Sequence, residues 1–379
     1  MRIVENTNVA NLSPLASAIY DKLAHNQQML FLTWECNDDE TTNQVAHFLN
    51  HFDAALAHLK GKVEFMLPLT AFHLMAHRAT RKWSDDKELC QSLVKIAANH
   101  TVSWRAGRFD FNVSAKPIIY GIMNITPDSF YDGGRYNTPE TMRDHIRQMV
   151  EAGADVIEVN GQTTKPGGFK EVTPAEELAR IVPGIEMLKA EFPNVAIAVD
   201  TYKLPVMEKV LELGVDIIND VNAFDDQRKL QLLKNSRVGL VTMHSSRDRE
   251  YGNLTVEMKH FFEHNLAKIA SAGIDLDRVI IDEGIGYSKV ADGEQDYAMM
   301  RNIDEFRYLN RPIMVAISRK GFGKKLFDLP KDERLSVTLI AETYMYLHGG
   351  RVLRVHDIQE TRQLVKMIDT ITSGYWQRS

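Results

Sequence analysis

The chain of 379 residues contains only two cysteines, Cys36 and Cys90, both within its first hundred residues. Their spacing fits neither a zinc site nor a disulfide framework. No apolar run approaches the length of a membrane span, and the N-terminal segment lacks the apolar stretch of a secretory signal. We therefore expect a cytoplasmic protein that does not insert into a membrane.

An excess of positive charge is absent as well. The formal net charge is −6 and the pI is about 6.1. Such a chain has no general electrostatic attraction to nucleic acid or to an anionic membrane, so we expect neither as a partner. A local basic pocket for a phosphorylated small molecule is compatible with this charge.

Apolar, β-branched runs recur from Pro117 to the C-terminus. Continuous runs of this kind are typical of parallel strands buried on both faces. The predicted strands are Ile118–Ile125, Val156–Asn160, Ala196–Asp200, Ile217–Val221, Gly239–His244, Val279–Gly284, Ile313–Ser318 and Val352–His356. Segments with helical apolar spacing lie between them, at Thr138–Ala152, Thr173–Ala190, Pro205–Leu213, Val256–Ser271, Glu333–His348 and Ile358–Thr372.

Eight β-α units over roughly 260 residues predict an α/β fold of the (β/α)8 or TIM-barrel type. The alternative is an open doubly wound sheet, which gathers its polar groups at one switch point. Here every predicted strand ends in polar residues, which favours the barrel. Val102–Val113 has the pattern of two short strands around Ala106-Gly107. We expect this hairpin to close the N-terminal face of the barrel.

The first hundred residues do not continue this rhythm. Strand patterns at Gln28–Glu35 and Lys62–Leu67 and helix patterns at Thr42–Leu59, Ala71–Arg81 and Asp86–Ala98 predict a small α/β domain. We therefore divide the chain into an N-terminal domain at 1–100 and a barrel at 101–379. The N-terminal domain shows no catalytic constellation, so we favour a structural or interaction role over a second activity.

Three histidines, His47, His51 and His58, fall on one face of the predicted helix Thr42–Leu59. A pair spaced by four residues can bind a metal ion. Nothing in the sequence indicates a further ligand, and the apolar face of the helix lies elsewhere. A solvated helix face is therefore favoured over a metal site.

Polar groups at the ends of all the predicted barrel strands form the candidate site, because the C-terminal face of a barrel is where active sites are built. One such residue alone is well explained as a helix cap or a loop partner. A full set is harder to explain in that way. The set is Asn124, Asn160, Asp200, Asn219 with Asp220, His244, Asp282, Ser318-Arg319-Lys320 and Arg354-His356-Asp357.

The residue types in this set indicate the kind of ligand. Carboxylates and amides suit a flat heterocycle with many N–H and C=O groups, while the cations, with Lys165, suit an anionic end. The residues alone therefore predict a barrel enzyme that acts on an anionic, hydrogen-bonding heterocycle.

Several separated motifs occur in an order that resembles dihydropteroate synthase. The resemblance covers residues from about 102 to 373. The motifs are GIMNITPDSFYDGG (Gly121–Gly134), NGQTTKPGG (Asn160–Gly168), IAVDTYK (Ile197–Lys203), IIND (Ile217–Asp220), TMH (Thr242–His244), IIDEGIGYSK (Ile280–Lys289), ISRKG (Ile317–Gly321), ERLS (Glu333–Ser336) and RVHD (Arg354–Asp357).

The resemblance implies an enzyme of folate biosynthesis that is a target of sulfonamides. It would join 6-hydroxymethyl-7,8-dihydropterin pyrophosphate to para-aminobenzoate, giving 7,8-dihydropteroate and pyrophosphate. It also implies dissociative chemistry, in which pyrophosphate leaves before the arylamine attacks. Magnesium is the implied cofactor, and a homodimer through barrel helices is the implied assembly.

The resemblance also assigns roles to residues by motif position. Asp200, Asn219, Asp282 and Lys320 would hold the pterin, and the two carboxylates would stabilise the developing positive charge. Asn124 would contact magnesium and pyrophosphate, and Arg354 and His356 would bind the leaving pyrophosphate. The further substrate contacts implied are Phe130, Thr164, Lys165, Pro166, Tyr287 and Gly321, with the loops Thr126–Gly134 and Gln162–Gly168 closing over the site.

Several positions differ from the family pattern. Asn160, Gln162 and Lys165 replace a glycine, a glutamate and an arginine of the second loop. Glu283 replaces a proline, and Gly321 replaces a serine that helps to bind the para-aminobenzoate carboxylate. These changes keep open the alternative of a non-catalytic pterin-binding paralogue. A pterin-using methyltransferase is disfavoured, because the SRK, RVHD and TPDSF motifs belong to the synthase pattern.

Overall fold

The computed structural model of the chain describes residues 1–7, 13–125, 138–162, 171–245, 252–287 and 293–375. The chain divides into two compact units. The described residues of Met1–Thr101 and Lys366–Ser379 form the first unit, and those of Val102–Val365 form the second. Tyr375 belongs to the first unit, where its ring lies 5.6 Å from that of Phe52. Our domain boundary at residue 100 stays a sequence prediction.

The first unit contains an antiparallel sheet with α-helices. Among its described residues the strands are β1 (Arg2–Glu5), β2 (Met29–Glu35), β3 (Ala55–Leu59) and β4 (Lys62–Pro68), in the order β1-β2-β4-β3. The helices are α1 (Pro14–Asp21), α2 (Asp39–Leu49), α3 (Leu69–Lys82) and α4 (Lys87–Asn99), with a π-helical turn at Lys22–Asn26 and a 3-10 turn at Asn50–Phe52. Trp34, Phe52 and Phe72 are buried in its core. The predicted small α/β domain is confirmed.

The predicted helix Thr42–Leu59 is wrong in its second half. Helix α2 ends at Leu49, the chain reverses at Asp53 with φ of +51°, and β3 then pairs antiparallel with β4. The left-handed residue stops the helix, which a short apolar window does not reveal. His58 therefore lies on β3, so the three histidines do not share a helix face. Within the described part of the chain, no group of three or more His, Cys, Asp or Glu residues could hold a metal ion.

The second unit is built on a closed barrel of parallel strands. A hairpin of β5 (Ser103–Ala106) and β6 (Phe109–Asn112) precedes it. The barrel strands pair in chain order, and β14 closes on β7. They are β7 (Ile118–Asn124), β8 (Val156–Asn160), β9 (Ala196–Asp200), β10 (Ile217–Asp220), β11 (Gly239–Met243), β12 (Val279–Asp282), β13 (Ile313–Val315) and β14 (Gly350–Val355). The predicted TIM barrel is confirmed.

Helices connect the barrel strands, and the six predicted ones are all present. The helices are α5 (Pro139–Ala152), α6 (Pro174–Glu191), α7 (Leu204–Leu213), α8 (Gln227–Lys234), α9 (Leu254–Ser271), α10 (Glu294–Arg301), α11 (Phe322–Phe327), α12 (Leu335–Leu347) and α13 (Ile358–Thr372). Short 3-10 segments lie at Leu276–Arg278, Ile303–Leu309 and Lys331–Glu333. The prediction missed α8 and α10, which have eight residues each and so show too little periodicity. No described helix is long and apolar enough to cross a membrane.

The hairpin β5-β6 closes the N-terminal face of the barrel, as predicted. Trp104 is fully buried with the apolar side chains that fill the barrel, and its indole Nε1 donates to the Arg278 carbonyl at 2.9 Å. At Gly239, the first residue of β11, an added Cβ would lie 2.8 Å from both the Cβ of Ala106 and the Trp104 ring. Because this end is filled, the C-terminal face is the one left for a site.

Glu342 of α12 is an acidic side chain buried against α13. Its Oε2 accepts from the Thr361 hydroxyl at 3.0 Å, while its Oε1 has no partner among the described residues. Burial raises the pKa of this carboxyl to about 8. The folded chain therefore holds a proton there at neutral pH.

We predict that Glu342→Gln makes the folded chain more stable at alkaline pH. The carboxyl is protonated in the folded chain and ionised in the unfolded chain between its ordinary pKa of 4.5 and about 8. Its contribution to stability is therefore complete below pH 4.5 and is lost as the pH rises through about 8, a change of up to about 5 kcal/mol. Urea unfolding between about pH 5 and 9 should show this decline in the parent chain, and the decline should be smaller in the variant, in which other buried carboxyls such as Asp200 still contribute. Glu186→Gln, at an exposed position of α6, should follow the parent chain. The same pH dependence in Glu342→Gln and the parent chain would contradict the assignment.

Candidate active site

Closure of the barrel brings the predicted polar residues together where the strands end. Asn124 and Asn160 end β7 and β8 and lie opposite each other in register. Asp200 at the end of β9 is likewise paired in register with Asn219 of β10. Asp282 ends β12, opposite Met243 of β11. All of them lie on the C-terminal face, as expected for parallel strands.

A carboxylate that the sequence analysis missed lies at the centre of this face. Glu158, in the middle of β8, is fully buried and accepts from the Tyr120 hydroxyl at 2.9 Å and from the side-chain amides of Asn160 and Asn219, each at 3.1 Å. Arg354 donates to it through Nε at 3.0 Å and also through Nη2. The signal available in the sequence was a charged residue inside an otherwise apolar strand.

Arg354 lies between two carboxylates. Besides Glu158, its Nη2 donates to Asp200 at 3.1 Å. Burial opposes ionisation of Glu158, but the charge and hydrogen bonds of Arg354 outweigh it and lower the pKa of Glu158. At Asp200, burial and the neighbouring Glu158 charge raise the pKa to about 8. The Arg354 guanidinium therefore binds both carboxyl groups, and Asp200 is the one that is more easily protonated.

Three buried oxygens of this cluster have no hydrogen-bond partner among the described residues. They are Oδ1 of Asp200, Oδ1 of Asn219 and Oδ1 of Asn160. Buried acceptors are nearly always satisfied in folded proteins. Three neighbouring exceptions indicate a place where a ligand with several N–H groups supplies the donors.

Asp282, Lys320 and Tyr287 form a second part of the site. Asp282 is buried and accepts from the Gly284 amide at 2.8 Å. Burial raises the pKa of Asp282, and the nearby charge of Lys320 opposes that rise. Lys320 donates to the Ile285 carbonyl and lies 5.1 Å from the centroid of the Tyr287 ring. The predicted neighbours are therefore brought together.

Gly284 is required by this arrangement. Its φ is +73°, and an added Cβ would lie 1.8 Å from the His244 carbonyl oxygen. The close approach of the two loops brings His244 next to the end of β12, where its amide donates to the Asp282 carbonyl at 2.8 Å.

An ion pair aligns the loops that carry Lys320 and His356. Arg319 donates to both carboxylate oxygens of Asp357, at 2.8 and 2.7 Å, and both side chains are largely buried. His356 Nδ1 lies 3.0 Å from the Ser318 hydroxyl. The bidentate pair couples the segment after β13 to the end of β14. The ion pair therefore sets the separation between Lys320 and His356, which are both predicted to bind substrate.

Gln162 takes part in a network that explains its departure from the family pattern. Lys203 donates to the Gln162 side-chain oxygen, to the Val172 carbonyl at 2.5 Å and to Glu177 at 2.8 Å. The Gln162 amide nitrogen donates to the Tyr202 hydroxyl at 2.9 Å. A glutamate could not donate that bond, and Glu177 already neutralises Lys203. Glutamine therefore suits these surroundings.

Glu283, which stands where the family has proline, is buried with neither carboxylate oxygen paired among the described residues. Burial, with the charges of Asp282 and Asp304, raises its pKa well above the ordinary value. We find no role for it in the site.

Asn124 is the predicted contact for magnesium. Its Oδ1 accepts from the Asn160 amide at 3.2 Å. A single amide oxygen is a suitable hard ligand, and magnesium commonly binds one or two protein groups together with substrate phosphates. The residues present therefore fit an ion held mainly by a phosphorylated substrate.

Four predicted contacts, Phe130, Thr164, Lys165 and Pro166, lie outside the described residues. Gly321 lies directly before α11, and an added Cβ there would meet no atom of a described residue within 4 Å. Space for a larger side chain is therefore available at this position.

Comparison with known proteins defines the class first. Residues 120–356 match the family of pterin binding enzymes. With the closed barrel and the polar cluster on its C-terminal face, this makes the second unit a pterin-binding barrel.

Individual relatives narrow the assignment. Dihydropteroate synthase of Clostridium beijerinckii is 33% identical over 269 residues, which cover 70% of this chain and 98% of that protein. The solved dihydropteroate synthase of Yersinia pestis, in a sulfonamide drug complex, matches with a TM-score of 0.67 and 28% identity over 72% of this chain and 100% of that one. That of Burkholderia cenocepacia, complexed with 7,8-dihydropteroate, gives a TM-score of 0.65 and 27% identity over 73% and 99%. The chain belongs to the dihydropteroate synthase family.

Proposed function

We propose that the chain joins 6-hydroxymethyl-7,8-dihydropterin pyrophosphate to para-aminobenzoate, with release of pyrophosphate, on the C-terminal face of its barrel. The observation that carries the proposal is the buried cluster of Asp200, Asn219 and Asn160, whose free acceptors match a pterin rich in N–H groups. The similarity of the chain to the dihydropteroate synthase of Burkholderia cenocepacia, which was solved with 7,8-dihydropteroate, supports the same assignment. The comparisons give no support to a non-catalytic paralogue.

The pterin would be held by groups of both parts of the site. Asp200 and Asn219 would accept hydrogen bonds from the N–H groups of the pterin on one side. Asp282 on β12 and Lys320 in the loop after β13 would contact the pterin on the other side. Buried carboxylates in fixed positions also stabilise positive charge that develops when pyrophosphate departs. Two carboxyl groups, of Glu158 and Asp200, share the single cation Arg354, and this excess of acidic groups suits the stabilisation of that positive charge.

The leaving pyrophosphate would be bound by Arg354 and His356. Nη1 of Arg354 makes no hydrogen bond to a described residue, so one edge of the guanidinium is available while Glu158 and Asp200 hold the other. His356 lies two residues further along the chain, with its Nδ1 next to Ser318. Magnesium, when bound at Asn124, would neutralise charge on the pyrophosphate.

We predict that pyrophosphate release from the dihydropterin substrate in magnesium depends on para-aminobenzoate and yields dihydropteroate. Asp282→Asn should lower kcat/KM about 100-fold, because it removes a fixed negative charge from the site. A coupled pyrophosphate assay with product chromatography measures both effects, and addition of EDTA should abolish turnover.

Asp277→Asn is the matched control, since Asp277 pairs with Arg105 at the opposite face of the barrel. Its kcat/KM should equal that of the parent chain. Tight pterin binding by the parent chain without any turnover would overturn the proposed function.

Sulfonamides would compete with para-aminobenzoate beside Gly321, where the family usually carries a serine. The open space at Gly321 allows a hydroxyl to be added without displacing a described atom. We predict that Gly321→Ser lowers the inhibition constant of a sulfonamide and the KM for para-aminobenzoate by about 3- to 10-fold, the value of one added hydrogen bond. Steady-state inhibition measures this, and Gly321→Ala serves as the control without the hydroxyl. An inhibition constant that is the same in Gly321→Ser and the parent chain would count against it.

A homodimer is part of the proposal. Helix α12 exposes an apolar stripe of Ile340, Tyr344 and Leu347, which are 70%, 40% and 49% exposed. Such a stripe suits burial against a second copy of the chain. We predict that Ile340→Asp shifts the sedimentation coefficient from that of a dimer to that of a monomer, whereas Glu186→Gln leaves it unchanged. A parent chain that sediments as a monomer would refute the dimer.

A cytoplasmic location completes the proposal. Cys36 and Cys90 are both free thiols, as is usual in a reducing compartment. Recovery of the protein in the periplasmic or extracellular fraction of its cells would contradict this location.

A further inference from the structure

Glu158 differs from the other acids of the site because its hydrogen-bonding capacity is already filled. Oε1 accepts from Nε and Nη2 of Arg354 and from Asn160. Oε2 accepts from Tyr120 and Asn219. A carboxylate offers about four acceptor positions. These five hydrogen bonds leave none for a substrate.

The donors come from four elements of the barrel. Tyr120 lies on β7, Asn160 on β8, Asn219 on β10 and Arg354 on β14. Asn219 and Arg354 are themselves proposed substrate contacts, and Asn160 donates a hydrogen bond to a third, Asn124. The carboxylate therefore determines where several of these groups point.

We propose that Glu158 is a positioning residue of the synthase reaction, one that orients Arg354 and Asn219 for substrate without touching the reacting atoms. The inference rests on the proposed function. It explains why a buried carboxylate stands in the middle of an apolar strand, where an unpaired charge would be costly.

An amide at this position would not reproduce the arrangement. Every contact of Glu158 is to a donor, and a glutamine would present its NH2 group to one of the two sets of donors. Either Arg354 would lose its acceptor at this position and keep only Asp200, or Asn219 would lose its acceptor. Glu158→Gln therefore changes both the orientation and the charge.

The charge of Glu158 also affects its neighbour Asp200. The charged groups that act on Asp200 are Glu158 on β8, Arg354 on β14, Glu177 on α6 and Asp220 on β10. Burial and Glu158 raise the pKa of Asp200 to about 8. Removal of the Glu158 charge should lower the pKa of Asp200, so that its carboxylate forms at lower pH.

The test compares Glu158→Gln with Glu342→Gln, the same substitution at an equally buried glutamate of the same unit that lies outside the cluster. In Glu158→Gln, kcat/KM for the dihydropterin pyrophosphate should fall at least 10-fold. In the parent chain kcat/KM should rise with pH as Asp200 ionises, and in the variant this rise should lie at least one pH unit lower. Glu342→Gln should keep the parent kcat/KM and its pH profile at a temperature where both chains are folded.

Glu158→Asp distinguishes the effect of the orientation of the partner side chains from the effect of the charge. It also provides the test if Glu158→Gln does not fold. It keeps the charge but shortens the side chain, so KM for the pterin should rise while the pH profile stays in place. A parent-like kcat/KM in a folded Glu158→Gln, or a parent-like KM in Glu158→Asp, would overturn the inference. Absence of turnover in the parent chain would instead refute the proposed function, so the two failures are distinguishable.

Discussion

The ion pair of Glu158 and Arg354 inside the barrel is the interaction on which the site depends. It joins β8 to β14, and the other hydrogen bonds of Glu158 add β7 and β10. Two charges removed from water are stable only when their remaining donors and acceptors are also satisfied. Tyr120, Asn160, Asn219 and Asp200 meet that condition, so the same contacts that stabilise the pair also place the substrate-facing groups.

The charge balance of the site follows from the same constraint. Arg354 lowers the pKa of Glu158, but a single guanidinium cannot do the same for Asp200, whose pKa is raised to about 8. The site thus contains a carboxylate that changes charge near neutral pH beside another that does not. Enzymes commonly separate the acidities of paired carboxylates in this way, and such a separation suits a site that must accept both a neutral heterocycle and developing positive charge.

Two departures of the second loop from its family pattern, Gln162 and Asn160, lie in the described part of the chain and are local adjustments rather than signs of a lost site. Gln162 donates to Tyr202 and accepts from Lys203, while Glu177 supplies the negative charge that glutamine lacks. Asn160 takes part in the Glu158 cluster and also contacts Asn124. Both side chains therefore use their amide donors within the described part of the chain, and Asn160 Oδ1 is left for a ligand.

The sequence by itself determined the barrel, its hairpin plug and the residues at its strand ends, because buried parallel strands and their polar ends leave a periodic, local signal. The sequence pattern predicts a helix through residues 50–59, but the backbone reverses at Asp53, which has a left-handed conformation, and the strand β3 follows. Only the tertiary structure decided the role of Glu158, since its partners are up to 196 residues away along the chain. It likewise decided the pairing of Arg319 with Asp357 and of Lys203 with Glu177. Long-range hydrogen bonds between side chains depend on how strands pack around the barrel axis, and no local pattern encodes that geometry.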